Sequence, residues 1–370
     1  MAKLDTLTLR GFRSIKSLEK LELGQLNVLI GANGAGKSNF VGFFRLLRAM
    51  VEQRLQAYVT KNGPADGYFF DGIKQTGRIE ADLVFGQNRY AFALEPTAEG
   101  LMIANEQTQY TGGQGLAALR QIGGGVPESR LHDVRNNSGL TAQHGPNWYV
   151  WNAVSSWQVY QFHDTSMTAG MRRDVGVEQF EQLEPSGENL AAFLFHLQKM
   201  KPDRYELLRA TIQRVAPFFD DFHLRMTKGN NQDQVRLTWK QKGKSYIFSP
   251  GHLSDGTIRF ICLATALLQP RPPTTIVLDE PELGLHPEAI TILGGLLRSA
   301  SSSQTQIIVA TQSPQLLNEF EPSQVITVDQ IDGATELRKP TPESLAVWLE
   351  DYSLGELWQK GTLHGGINHA

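Results

Sequence analysis

Gly31-Ala32-Asn33-Gly34-Ala35-Gly36-Lys37-Ser38 is the stretch on which the reading of this chain turns. It matches G-x-x-x-x-G-K-[ST] at every fixed position, and that spacing has a mechanism. The glycines let the backbone curl until successive N–H groups face phosphate oxygens, and the helix that follows adds its positive N-terminal end. Lys37 is then placed to reach the β and γ oxygens of a nucleotide and Ser38 to ligate magnesium, with Ala32, Asn33, Ala35 and Asn39 completing the lining. A plain glycine-rich turn would satisfy the same letters, but few such turns lie between a strand and a helix. Here Leu26, Val28 and Ile30 read as a strand ahead of the loop, and Phe40, Phe43, Phe44 and Leu47 recur behind it at helical spacing from Lys37 to about Met50.

A phosphate loop of this kind needs a carboxylate from a buried strand to hold the magnesium shell. Thr275-Ile276-Val277-Leu278-Asp279-Glu280 supplies one, since its first four residues are apolar or β-branched. Burying them delivers Asp279 and Glu280 at the carboxyl end of the strand, where α/β sheets bind ligands. Asp279 is assigned to magnesium and Glu280 to the attacking water as general base. Acidic strand ends are common, and this one gains its meaning from the loop at residues 31–38.

The remaining pattern spreads outward from these two points. Residues 3–10 alternate as a strand, and residues 18–30 read as a strand pair around Gly24. Between about 78 and 110, Ile79, Ala81, Leu83, Phe85 and then Tyr90, Phe92 and Leu94 flank a Gly86–Asn88 turn, which predicts an antiparallel β subdomain. Residues 111–147 are rich in Gly, Gln, Asn and Ser and read as a loop-rich insert. Helices are expected at about 186–200, capped by Ser186, and at 202–216, followed by antiparallel strands at about 221–249. The last third alternates: helix 255–268, strand 274–279, helix 287–300, strand 305–311, strand 324–329. That alternation predicts an α/β fold with parallel strands. The organisation read from this is one domain over 1–370 in three stretches: a phosphate-loop and β lobe at 1–110, an insert with helices and strands at 111–250, and a C-terminal lobe at 251–370.

The order strand, phosphate loop, long insertion, Leu253-Ser254-Asp255-Gly256-Thr257, helix and acidic strand end resembles the ABC-type ATPase head, a P-loop NTPase whose signature loop reads roughly LSGGQ. The resemblance implies ATP and Mg2+ as ligands and a homodimer in which Ser254, Gly256 and the helix N-terminus meet the nucleotide held by a second copy. The simpler reading, Ser254 or Asp255 capping a core helix with Ile258, Ile261, Thr265 and Leu268 at helical spacing, is compatible with that role. Gly11-Phe12-Arg13-Ser14 is similar to the N-terminal NFRS of SMC and RecF-like heads, which places Arg13 by the nucleotide. Glu280-Pro281-Glu282-Leu283-Gly284-Leu285-His286-Pro287 resembles the DEPE-x-x-LHP stretch of RecF/OLD-like predicted ATPases, an AAA family, rather than transporter subunits. Ala310-Thr311-Gln312-Ser313-Pro314 aligns with their THSP, so Gln312 stands where a histidine senses the γ-phosphate. Glutamine still hydrogen-bonds but cannot take a positive charge, which implies slow hydrolysis. For the lobe-linking glutamine that meets magnesium, Gln161 is the first choice and His163 the second.

Other features bound the function. With 370 residues, 41% hydrophobic and 20% charged, the chain can bury a sizeable core. A formal charge of −3 gives no global pull on polyanions, so DNA contact would need a local patch. The single cysteine, Cys262, excludes an internal disulfide. No signal peptide or membrane span is visible, which places the protein in the cytoplasm. No heptads persist to form the coiled-coil arm of SMC proteins, and Asp329-Gln330-Ile331-Asp332 in the short stretch after Ser313 lacks the D-x-D pair of a Toprim nuclease. Arg172, Arg173 and the lysines of 240–244 read as solvated surface, Trp148, Trp151 and Trp157 as packing, and His364 and His369 as an untethered tail. Leu345, Trp348, Leu349, Leu354, Leu357 and Trp358 read as an amphipathic C-terminus that docks on its own domain or on a partner. Two functions fit: the regulatory ATPase of a prokaryotic anti-phage defence complex, its dimer or larger oligomer holding a separate effector, or a RecF-like DNA-binding ATPase of repair.

Overall fold

The computed structural model describes residues 3–98, 100–112, 119–135, 145–228, 233–302, 304–340 and 342–363. Much of the glycine- and glutamine-rich insert, at 113–118 and 136–144, and the tail histidines His364 and His369 lie outside these. The chain divides into two compact units, one of residues 1–159, 273–277 and 301–370 and the other of residues 160–272 and 278–300.

The first unit opens with β1 (Thr6–Phe12) and β2 (Ile15–Glu22), which pair antiparallel through Leu7–Leu21 and Phe12–Ile15. A six-stranded antiparallel sheet follows in the order β2, β1, Ile79–Phe85, Asn88–Pro96, Leu101–Tyr110, Arg120–Gly123. Ile79–Phe85 alternates buried with half-buried residues, as a strand with one covered face must. β3 (Leu26–Ile30), buried at every residue, belongs to a different sheet. The expectation of a strand pair around Gly24 is therefore wrong: the amphipathic β2 lies on the first sheet, and the fully buried β3 sits inside the second.

That second sheet runs in the order β7 (Ala334–Arg338), β6 (Val325–Ile331), β3, β5 (Gln306–Thr311), β4 (Thr275–Asp279), Gln158–Tyr160. β5 and β6 flank β3 in parallel and β7 closes back antiparallel on β6, so the alternating last third does build parallel strands. Helix α1 (Lys37–Val51) packs Phe40, Phe43, Phe44 and Leu47 into the core with Phe12, Phe92 and Trp157, the aromatic rings meeting at 5.2–6.4 Å. The C-terminal segment docks on its own unit. Leu345, Leu354 and Leu357 are buried, and Gly355 N–H donates to Asn318 Oδ1 at 2.7 Å.

The second unit holds two small three-stranded sheets and a helical layer. The sheets are antiparallel, and Phe219–Phe222 pairs Trp239–Gln241 while Arg225–Lys228 pairs Asp233–Arg236. The first expected helix begins at Leu190 rather than at a Ser186 cap. Asn189 precedes it and spends its side chain on the loop before, accepting from Glu184 N–H and donating to Gln179 and Gln182 carbonyls. α2 (Asp255–Leu268) is buried from Ile258 to Leu267, and α3 (Pro287–Ala300) packs on it. One residue read as surface turns inward: Arg172 is 7% exposed.

Candidate nucleotide site

In the first unit the 31–38 loop is a cradle shaped by what lies behind it. Gly34 and Gly36 have φ of 81° and 106°, the left-handed region that favours glycine. A Cβ at Gly31 would sit 2.3 Å from the Val328 carbonyl oxygen, and one at Gly36 would sit 1.9 Å from Thr335 Oγ1. Gly31 and Gly36 are thus demanded by the hairpin β6–β7 beneath the loop. Gly36 caps α1, so the N–H groups of the helix's first turn open onto the loop.

Lys37 is 5% exposed, and its Nζ donates to the Gly31 carbonyl at 2.7 Å and the Ala32 carbonyl at 2.9 Å. The cation is thereby folded across the mouth of the loop. Asn39 donates from Nδ2 to Ser14 Oγ at 2.7 Å, Ser14 Oγ lies 2.7 Å from Thr335 Oγ1, and Thr335 donates to the Ala35 carbonyl at 2.8 Å. Through this network the β1–β2 turn, the phosphate loop and β7 hold one another. Arg13, on that turn with φ 50°, lays its guanidinium 5.2 Å from the Tyr68 ring centre and 5.5 Å from that of Phe12. An open pocket of about 470 Å3 lies there, lined by Arg13, Ser14, Asn39, Asp66 and Phe69 among others. The register Thr311–Ile30 sets Gln312 level with Gly31. The structure thus brings Arg13, the 31–39 loop and Gln312 together within this unit.

Gly36→Ala is expected to cost more than about 2 kcal/mol, since the new Cβ meets a buried threonine at a backbone angle that L residues avoid. Denaturant unfolding checks it, and a cost below about 0.5 kcal/mol would mean that β7 yields freely.

In the second unit, Asp279 is 6% exposed at the end of β4, and Glu280 follows in the left-handed region at φ 46°. His163 Nε2–H donates to the Asp279 carbonyl at 2.9 Å, and its Nδ1 lies 3.3 Å from the Gln161 amide nitrogen. Of the two residues expected to link lobes, it is His163 that touches the Asp279 backbone, with exposed Gln161 one step further out.

Ser254 is the N-cap of α2: its Oγ accepts from Thr257 N–H at 3.2 Å, and it stays exposed. Gly256 is required by its own fold, because a Cβ there would sit 2.5 Å from the Gly284 carbonyl oxygen. The 250–255 loop is held from behind by Arg172, which sequence reading had left on the surface. Its guanidinium donates to the carbonyls of Thr165, Pro250 and Leu253 and to Asp255 Oδ1 at 3.0 Å. Asp255 alone could have hinted at this, since a carboxylate in the first helical turn offers an arginine a partner.

The residues present fit a nucleotide in chemical type. The first unit offers a curled loop of N–H groups, a folded-back lysine and a hydroxyl at Ser38, and the second a buried aspartate with a glutamate beside it. Magnesium, when bound, would offset phosphate charge, and a hydroxyl such as that of Ser38 is a ligand of the type it takes.

Known proteins are consistent with this reading. The family described as "AAA domain, putative AbiEii toxin, Type IV TA system" matches residues 26–111 and 164–318. No curated protein matches the sequence. Among solved structures, the SmcHead bound to the C-winged helix domain of ScpA is 14% identical, with TM-score 0.54, covering 93% of this chain and 99% of that one. The Smc head domain from Pyrococcus furiosus, with an extended coiled coil and bound to the C-terminal domain of ScpA, is 16% identical with TM-score 0.52, covering 95% and 99%. At such identities the likeness carries the fold.

Proposed function

The chain belongs to this AAA-domain family and has the ABC-type P-loop ATPase head fold of SMC proteins, and from that premise we propose that it closes on ATP as a homodimer and serves as the regulatory ATPase of a defence complex with a separate effector. The carrying observation is the pair of complementary half-sites: a phosphate cradle at 31–38 and an exposed, capped helix end at Ser254. A helix N-terminus with its cap facing solvent offers spare N–H donors to a γ-phosphate brought by a second copy. Lys37 and Ser38 bind the chain's own nucleotide, Asp279 holds the metal, and Glu280 takes the proton of the attacking water. Gln312, level with Gly31, hydrogen-bonds a phosphate oxygen without adding charge. Arg13 and Asn39 line the adjoining pocket on the base and sugar side, and Gln161 extends the His163 contact toward the metal.

The toxin–antitoxin description of the family supports the defence reading, as does a net charge of −3 that gives duplex DNA no general hold. ATP turnover measured across protein concentration, with and without duplex DNA, tests it. A slow rate that rises more than linearly with protein and ignores DNA is expected. A rate strictly linear in protein would overturn the dimer, and strong DNA stimulation would favour the RecF-like clamp.

Ser254→Arg gives a sharper result. ATP affinity should stay within about threefold, while dimer-dependent turnover falls by about 100-fold, the scale on which a lost phosphate-facing donor acts. Normal turnover would leave Ser254 as a helix cap alone.

A further inference from the structure

We propose that Arg259 is a positioning residue for Glu280, acting at both ends of the turn that carries it and, at one end, through His163. The proposal rests on the reading of Glu280 as general base and concerns only groups within the second unit.

Arg259 lies on α2, is 6% exposed, and among the described residues has no buried carboxylate for a partner. It spends its fork on backbone carbonyls instead. Nε donates to the Phe162 carbonyl at 2.9 Å, one terminal nitrogen to the His163 carbonyl at 3.2 Å, and the other to the Leu283 carbonyl. Residues 280–283 form a turn closed by Leu283 N–H to the Glu280 carbonyl at 3.2 Å. Arg259 therefore holds the far end of that turn directly. The near end is the Asp279 carbonyl, which accepts from His163 Nε2–H at 2.9 Å, while the His163 backbone is itself gripped by Arg259.

What these bonds hold is a strained residue. Glu280 has φ 46°, a conformation that an L side chain leaves when nothing over-determines it. The Asp279 carbonyl and the Glu280 N–H share one peptide plane, so the His163 bond fixes the plane from which Glu280 departs. At the other end the fit leaves no slack. Gly284 has φ 72°, and a Cβ there would lie 2.7 Å from the Arg259 guanidinium. The enclosed space bounded by His163, Arg259, Asp279 and Glu280 is about 10 Å3, room for one water at most. Arg259 also lies one turn beyond the Ser254 cap, and Gly256 rests on the Gly284 carbonyl, so one side chain sets both the start of α2 and the place of Glu280.

Backbone amide exchange over 279–285 reads this without nucleotide. Protection should fall at least tenfold in Arg259→Met and His163→Leu and be retained in His163→Gln, whose amide can still donate to the Asp279 carbonyl. Equal protection in His163→Leu and wild type would overturn the proposal, as would equal loss in the Leu and Gln variants. Steady-state kinetics add a second readout. His163→Leu should lose about 100-fold in kcat with ATP affinity unchanged, the penalty of a misplaced catalytic group, and His163→Gln should recover most of it. Parallel loss of affinity, kcat and thermal midpoint would reduce the pair to core structure. Should Arg259→Met fail to fold, the two His163 variants still decide. A wild-type chain without turnover would sink Glu280 as base, while the exchange comparison would still judge the positioning.

Discussion

Lys37→Ala is expected to reduce ATP affinity by at least about 100-fold, roughly 2.7 kcal/mol, while leaving the fold in place. The structure supplies both halves of that expectation. Nζ donates to the loop carbonyls of Gly31 and Ala32, and these face the mouth of the phosphate loop where water can replace the ammonium. Losing such bonds costs the fold about 1 kcal/mol. A nucleotide loses far more. Its phosphates crowd several negative charges into a curl of neutral N–H groups, and Lys37 is the motif's one cation, buried where water screens it weakly. Lys37→Arg should not rescue, since a planar fork cannot occupy the space of a compact ammonium on a buried side chain. Calorimetric titration with ATP measures both variants. Unchanged affinity in Lys37→Ala would sink the assignment of this loop as the nucleotide site.

How much of this was legible before the fold was known can be judged residue by residue. The cradle at 31–38, the buried strand ending in Asp279 and the helix at 255–268 are written in local pattern: fixed glycine spacing, a run of β-branched residues, a cap followed by apolar periodicity. Local pattern places them because each depends on its own few neighbours in the chain. What escaped depends on residues far apart in sequence. Thr335 clamps the phosphate loop 300 positions away, and the hairpin that brings it there turns at Asp332-Gly333, a strong turn signal that lay unused beyond the expected strand. β2 and β3 look like one hairpin, yet their burial differs, every third residue against every residue, and that contrast sends them to separate sheets. Arg172 and Arg259 were the least visible. Arg259 bonds carbonyls rather than a carboxylate and so leaves no charge partner to find in the sequence, Arg172 spends most of its bonds on carbonyls beside the one to Asp255, and only the path of the chain brings Pro250, Leu253, Phe162 and Leu283 within reach.

The second large effect falls on Glu280→Gln, which should bind ATP with ordinary affinity, hydrolyse it about 100-fold to 10,000-fold more slowly, and accumulate as a dimer. Glutamine keeps the length and shape of the side chain and adopts φ 46° at much the same cost as glutamate, so the turn held by His163 and Arg259 is preserved. What it loses is the ability to take a proton from water. The loop at 31–38 is untouched, and so is the Ser254 helix end. Every contact that favours a closed, nucleotide-filled pair is therefore retained while the step that would open it is slowed, and a transient state becomes the resting one. Sedimentation with and without ATP reads the assembly, and phosphate release reads the rate. Undiminished hydrolysis would remove Glu280 from the role of base and leave His163 and Arg259 positioning a residue with no part in the chemistry. Slow hydrolysis with a sedimentation profile indifferent to ATP would keep the base and discard the sandwich, returning the Ser254 loop to a helix cap that serves only its own chain.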